Sequence, residues 1–436
     1  MNKKLITLAV AAAMAAPAAA MADATLYGKI NMSIDYVDVD ANALAYGPGN
    51  YLFTGTSGIP DNRAISRDRV VPFLGNLYVA ANGQHYKGWD LNSNERSSRI
   101  GVKGSEDLGG GLKAIYQIEF GVQLTNPSYN DSLTNGDGGS VTMRNSFVGL
   151  AGNWGTFLVG RHDTPLKIST AKLDLFADTL ADYNWTIGFH DVRANNAIAY
   201  ISPSFAGFQL AGAIVPPGGA TAAGGLFGTN SDNNSIASSY SLAGIYSNGP
   251  FYASVAYENY GSKNWSNADL LNGITPGSTS FLGVPGWGNA KDWSLWRAGL
   301  GLLDWNGFTL TGVYESHSNV LGSPVKSDMR LWQVQAGYAF GNNMIKGMYG
   351  SNNVEECTGA AYHGLVNPDV MCGAMAQALD PGTPFYADGQ DYNSWALAFD
   401  HNFSKRTRAY LLYTKTASDQ VNSDWSGWSL GMVHSF

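Results

Sequence analysis

The sequence predicts an all-β fold, a transmembrane antiparallel β-barrel of about sixteen strands. Three observations predict it. Oily and polar side chains alternate in segment after segment. The connections between those segments alternate short and long. The composition is rich in glycine (53 of 436 residues) and aromatics (12%), but only 14% charged, well below the usual share for a soluble domain.

Taken in order, Met1 to Ala22 reads as an export leader. Lys3 and Lys4 precede an apolar run from Leu5 through Ala16, and Ala20-Met21-Ala22 supplies the small residues a signal peptidase needs. Cleavage after Ala22 leaves Asp23 as the mature N-terminus, and residues 23–436 form one barrel domain. Without the two leader lysines the chain has 24 basic and 34 acidic residues, a formal charge of −10, which argues against nucleic acid as a partner. No other segment approaches the roughly 18 apolar residues of a spanning helix.

Strands are expected at 24–36, 94–104, 111–124, 141–152, 154–162, 192–203, 206–215, 237–247, 251–260, 291–304, 306–318, 328–340, 343–351, 391–403, 406–417 and 425–436. A period of two assigns their faces. In the first, Leu26, Ile30, Met32, Ile34 and Tyr36 oppose Tyr27, Lys29, Asn31, Ser33 and Asp35. In the third, Tyr116, Ile118, Phe120, Val122 and Leu124 oppose Lys113, Gln117, Glu119 and Gln123. In the last, Trp428, Leu430, Met432, His434 and Phe436 share a face. Sixteen strands in one soluble sandwich would be unusual, whereas a barrel with lipid outside and water inside needs this pattern.

The short connections, such as 105–110, 152–153, 248–250 and 341–342, are rich in Gly, Asn and Ser, as hairpin turns should be. The long ones run over 37–93, 125–140, 163–191, 216–236, 261–290, 319–327, 352–390 and 418–424, which places turns at one end and loops at the other. Cys357 and Cys372 share the seventh loop of an exported chain, which favours a disulfide over two free thiols.

A barrel of this size encloses an aqueous lumen, so function depends on what narrows it. The third loop, 163–191, departs from strand periodicity. Asp174, Asp178 and Asp182 recur at i, i+4 and i+8, with Leu173, Phe176, Ala177 and Leu180 on an apolar side. A helix lying against the wall with its carboxylates in the lumen fits this spacing, and so does a solvated extracellular helix. On the wall, alternation turns Arg99, Lys103 and Arg193 inward, and polarity does the same for Arg144. A cation on the lipid side would cost roughly 2–4 kcal/mol near the midplane. Arg161 has ambiguous parity and stays outside this set.

These residues carry a resemblance. Leu26-Tyr27-Gly28, Ser98 to Gly109 (SRIGVKGSEDLG), Gly111-Leu112-Lys113-Ala114, Arg144 to Leu150 (RNSFVGL), Gly160 to Pro165 (GRHDTP), Arg193-Ala194-Asn195-Asn196, Phe403 to Thr407 and His434-Ser435-Phe436 resemble the general porins of Gram-negative outer membranes, the trimeric sixteen-stranded kind. The resemblance implies a third loop folded into the lumen, an eyelet between loop acids and wall arginines, and a homotrimer in the outer membrane among lipid and lipopolysaccharide. It further implies that Phe436 is a signal for barrel-assembly machinery. This chain departs from the family in its very long first loop and its cysteine-bearing seventh loop.

The function so read is a water-filled channel for passive diffusion of small hydrophilic solutes and ions. One charge about 10 Å from an ion in water is worth roughly 0.4 kcal/mol, and salt screens it over about 8–10 Å. Charge selectivity is therefore expected to be weak, leaning to anions. A substrate-specific channel would need a track of lumen aromatics or a dense basic ladder, and Tyr27 and Tyr252 alone do not make one. An enzyme would need a nucleophile, base and orienter, but the seven histidines are scattered and no nucleophile elbow is visible. Asp163 beside His162 reads as loop polarity. No spacing asks for a metal or cofactor.

Overall fold

The computed structural model describes residues 23–40, 44–46, 77–79, 86–92, 97–125, 141–216, 235–261, 280–281, 284–285, 291–319, 328–354, 391–418 and 424–436. The leader through Ala22, most of the first loop, and both Cys357 and Cys372 lie outside them.

One sheet of seventeen strands forms the barrel. These are β1 Thr25–Val39, β2 Tyr86–Asn92, β3 Arg99–Gly109, β4 Leu112–Val122, β5 Val141–Gly152, β6 Gly155–Asp163, β7 Arg193–Ile201, β8 Phe208–Val215 and β9 Ser239–Asn248. They continue as β10 Phe251–Tyr260, β11 Trp293–Trp305, β12 Phe308–Ser318, β13 Met329–Phe340, β14 Asn343–Val354, β15 Tyr392–Asn402, β16 Thr407–Ser418 and β17 Trp425–Ser435. Each pairs antiparallel with its neighbours, and β17 returns to β1 in register from Lys29↔Ser435 to Val39↔Trp425. Closure leaves the barrel sheet without free edges, as a strand protein in lipid requires.

The strand count reconciles with sixteen positions because β2 and β3 share one. β2 pairs with Ser33–Val39 and β3 with Thr25–Lys29, along the same edge of β1. Of the strand expected at 94–104, residues 99–104 are found in β3, whereas β2 falls in the stretch 37–93 expected as loop. Between the two pieces Ser97 has φ +50, and Ser98 Oγ accepts from Asn31 N (3.0 Å) and donates to Asn31 O (2.9 Å). A side chain there replaces ladder bonds. The turn expected at 105–110 is shorter than anticipated, because Gly109, Gly110 and Gly111 all adopt positive φ and make the reversal alone. Residues 105–107 remain paired strand, and Leu108 is bulged before Gly109↔Leu112.

Alternation is realised around the ring. Leu26, Ile30, Ile34, Trp428, Leu430 and Met432 are exposed, whereas Asn31, Ser33, Asp35 and Ser429 are buried. The exposed face carries aromatic pairs between neighbouring strands: Tyr36–Trp89, Trp428–Tyr413, Tyr413–Trp395 and Trp332–Tyr349, with ring centroids 4.8–5.6 Å apart. Such pairs suit the interfacial zone of a bilayer. Phe436 closes the ring of hydrogen bonds, its N donating to Gly28 O at 3.0 Å. Its ring occupies the space of a Gly28 side chain, since a Cβ there would lie 2.3 Å from Cζ. Among the described residues no helix is long and apolar enough to cross a membrane; the strands do that.

Candidate functional site

A cluster of polar-face cations lies on β1 and β3–β7. Arg144 Nε donates to Glu119 Oε1 at 2.6 Å. Arg99 lies 3.9 Å from both Glu119 Oε2 and Asp178 Oδ2. Lys29 pairs with Asp178. Arg193 Nε lies 2.6 Å from Asn145 Oδ1 and 3.0 Å from Asp163 Oδ1, and Lys167 approaches the same carboxylate at 3.2 Å. Two bulges aim these side chains. Opposite Glu119, β5 carries an extra residue between Ile118↔Ser146 and Phe120↔Met143, which brings Arg144 onto the glutamate. A second lies between Gly160↔Ala197 and His162↔Ala194, where Asn196 has φ +54. It sets Arg161 against Asn195, while the register keeps Arg161 at the parity of the exposed Phe157 and Val159.

The segment between β6 and β7 does not contain the helix expected over 172–182. It has a short helix at each end, α1 Pro165–Thr170 and α2 Tyr183–Thr186, and tight turns between. Leu173 N donates to Thr170 O, Thr179 N to Phe176 O and Asp182 N to Thr179 O. The three aspartates therefore do different work. Asp174 Oδ1 accepts from Phe176 N (2.9 Å) and from Gln335 Nε2 (2.8 Å). Asp182 caps α2 through Asn184 N (2.9 Å) and accepts from Asp178 N (2.8 Å). Only Asp178, at φ +61, reaches the basic residues.

Their acidities follow. Burial raises Asp174 to about 6. Burial also raises Asp182, reinforced by the charges of Asp174 and Asp178. Burial opposes ionisation of Asp178 too, but Lys29 and Arg99 outweigh it and hold the carboxyl at about 2.

The segment meets the polar face of strand after strand. Leu166 N donates to Ser241 Oγ on β9 (3.0 Å), and Tyr252 on β10 donates to Ser169 O (2.8 Å). Thr311 on β12 donates to Leu173 O (2.8 Å), and Lys346 on β14 to Leu175 O (2.7 Å). Asn352 on β14 donates to Ile187 O (2.9 Å), Ser394 on β15 to Thr186 O (2.5 Å), and Asn31 on β1 to Asp178 O (2.9 Å). Glycines on that face leave room for its apolar side chains. A Cβ at Gly299 or Gly301 would fall 2.5 or 2.7 Å from Leu173, one at Gly350 2.7 Å from Ile187, and one at Gly427 2.8 Å from Leu180.

The structure thus brings together Arg99, Arg144, Arg193 and one of the three expected acids, Asp178. Lys103 meets no loop acid among these contacts; its Nζ lies over the Tyr27 ring, 5.1 Å from the centroid. Sequence reasoning missed Lys29, Glu119 and Asp163 as members of the cluster. Parity alone turned Lys29 and Glu119 inward, but pairing them needs the register and bulges that only the folded sheet supplies. Asp163, read as loop polarity, is the last residue of β6 and an ion-pair partner.

A closed barrel with an oily outside, a polar inside and ion pairs along one inner wall defines an integral membrane β-barrel of the channel class. The family model for Gram-negative porins matches residues 7–421, and the chain belongs to that family. Outer membrane porin protein 32 of Delftia acidovorans is 31% identical over 222 residues, 48% of each chain. Major outer membrane protein P.IA of Neisseria meningitidis serogroup B is 29% identical over 268 residues, 60% of this chain and 59% of that one. The matched stretch spans about half to three-fifths of these relatives. Among solved structures, the anion-selective porin from Comamonas acidovorans superposes with a TM-score of 0.57 at 18% identity, covering 95% of this chain and 100% of that one. The outer membrane channel DcaP of Acinetobacter baumannii gives 0.54 at 14%, covering 95% and 97%. These likenesses mark the fold, and the family marks an integral protein of the outer membrane.

Proposed function

We propose that the protein is a passive diffusion channel for small hydrophilic solutes and ions, narrowed where residues 164–192 fold into the lumen and leaning weakly to anions. The observation that carries this reading is the run of contacts from β9 round to β1. It leaves the basic wall of β3–β7 as the free boundary of the water path. Along the water path Lys29, Arg99, Lys103, Arg144, Arg193 and Lys167 outnumber Glu119, Asp163 and Asp178. Asp174 is held by backbone N–H groups and Gln335 and Asp182 by backbone N–H groups, so the acidic stripe that could have cancelled the wall does not form. Arg99, Lys103, Arg144, Arg193 and Asp178 are the constriction residues in this proposal.

A sugar-specific track is less well supported, because the hydroxyls of Tyr27 and Tyr252 already bond to Glu119 and Ser169. The same reading includes assembly as a homotrimer among lipid and lipopolysaccharide, delivery by barrel-assembly machinery that reads Phe436, cleavage between Ala22 and Asp23, and a Cys357–Cys372 disulfide.

Planar-bilayer recording of the purified protein tests the central claim. Conductance should rise linearly with salt, and the reversal potential in a KCl gradient should favour chloride modestly. Saturation blocked by a single solute would make it a specific channel instead, and no current at all would end the reading.

A further inference from the structure

We propose that Arg297 is the positioning residue that fixes the width of the passage, by clamping the entrance and exit of segment 164–192 to one point on β11; this rests on the segment narrowing the lumen. Arg297 is fully buried. Its Nε donates to Glu315 Oε2 at 2.5 Å, across the register pair Arg297↔Glu315. Nη1 donates to Thr170 Oγ1 at the end of α1 (2.9 Å) and to Asp191 Oδ1 beyond α2 (2.6 Å). Nη2 donates to His190 O (2.9 Å). The Phe189 and Tyr183 rings flank the guanidinium, with centroids 5.5 and 5.9 Å away.

The clamp is cross-braced. Tyr183 donates to Asp191 Oδ2 (3.0 Å), and Glu315 Oε1 accepts from His190 N (2.9 Å). Residues 170 and 190–191 are therefore joined through a single side chain, and everything between them becomes a ring pinned to the wall. Two facing carboxylates and two further acceptors, arranged around one plane, match a five-donor fork and not a three-donor ammonium. Loss of the guanidinium would leave Glu315 with His317 Nε2 (2.8 Å) and His190 N, and Asp191 with Tyr183, two buried carboxylates without their shared cation, which favours departure of the segment from the wall.

The test uses the full chain in planar bilayers with four variants: Arg297→Gln, Arg297→Lys, the double variant Thr170→Val with Asp191→Asn, and a replacement of residues 173–189 by a short glycine linker. Arg297→Gln should raise single-channel conductance roughly 1.5-fold or more and increase open-channel noise, as a wider and mobile constriction would. Arg297→Lys should restore part of the quiet trace. The double variant leaves the Arg297–Glu315 pair intact on the wall, so it should fold normally and still reproduce the noise. Wild-type conductance and noise in both Arg297→Gln and the double variant, with a raised conductance in the linker variant, would overturn the clamp alone. If the linker variant also conducts like wild type, the narrowing role of the segment falls with it. Should Arg297→Gln fail to fold, the double variant decides.

Discussion

Removing Arg99, Arg144 and Arg193 together should abolish the anion preference without inverting it strongly. The triple Gln variant leaves Lys29, Lys103 and Lys167 against Glu119, Asp163 and Asp178, so the charges along the path come to balance. Each lost charge about 10 Å from a permeating ion removes roughly 0.4 kcal/mol in water, or about 1.2 kcal/mol for three. At 0.1 M salt the Debye length is about 10 Å, so each contribution falls roughly e-fold. The remaining ~0.45 kcal/mol disfavours chloride and favours potassium alike, so their permeability ratio shifts by about 0.9 kcal/mol, roughly four- to fivefold. At 0.01 M the screening length is about 30 Å, and the same three charges should change the ratio roughly twentyfold.

The salt dependence is the diagnostic part. Arg144 is held by Glu119 and Arg193 by Asp163, so each substitution also releases a carboxylate, which pushes in the same direction. Reversal potentials measured in KCl gradients centred on those two salt concentrations would give the ratios. An unchanged ratio at low salt would place the arginines away from the ion path. A change that does not shrink with added salt would mean that the variant altered pore shape and not charge.

The remaining predictions concern the segment and the barrel. Asp178 is held at about 2 against an ordinary 3.8, so its charge stabilises the folded arrangement above the ordinary value, and that contribution is lost as pH falls through about 2. Wild-type channel noise should therefore rise between pH 4 and 2, and Asp178→Asn should be noisier at neutral pH and lack that step. Gly299→Val would place a Cβ 2.5 Å from Leu173 Cδ1 and 2.8 Å from Ser254 Oγ; overpacking of this kind costs about 1–3 kcal/mol, and higher conductance with a lower unfolding midpoint should follow. Leu430→Arg puts a cation on the oily face at a 54% exposed position, which should cost up to about 2–4 kcal/mol near the midplane. Urea unfolding in lipid vesicles would register it, and an unchanged midpoint would take that face out of the hydrocarbon.

The barrel was legible in the chain because alternation is a local property with a period that no helix shares. Strand 141–152 and strand 251–260 fall where the pattern put them. The break at Ser97-Ser98 did not, because it depends on Asn31, a residue on another strand. Cross-strand ion pairs were hidden for the same reason: Glu119 and Arg144 meet only through a bulge.

The segment over residues 172–182 misled through the same kind of locality. A spacing of four suits a helix, but it also suits successive tight turns in which each aspartate accepts backbone N–H groups nearby. A helix forms when a chain must satisfy its own backbone. Here Leu175 and Ile187 give their carbonyls to Lys346 and Asn352, and Leu175 N finds Gln335 Oε1 at 2.6 Å. With partners supplied from outside, internal helical bonds are not required, and turn geometry lets Leu173, Leu180 and Ile187 reach glycine-lined space on the wall. The consequence for selectivity is direct. In a helix the three carboxylates would share one face and oppose the arginines as a stripe. In turns, Asp174 and Asp182 face their own backbone and Asp178 alone answers the wall, so the balance of charge along the water path tips toward the basic side.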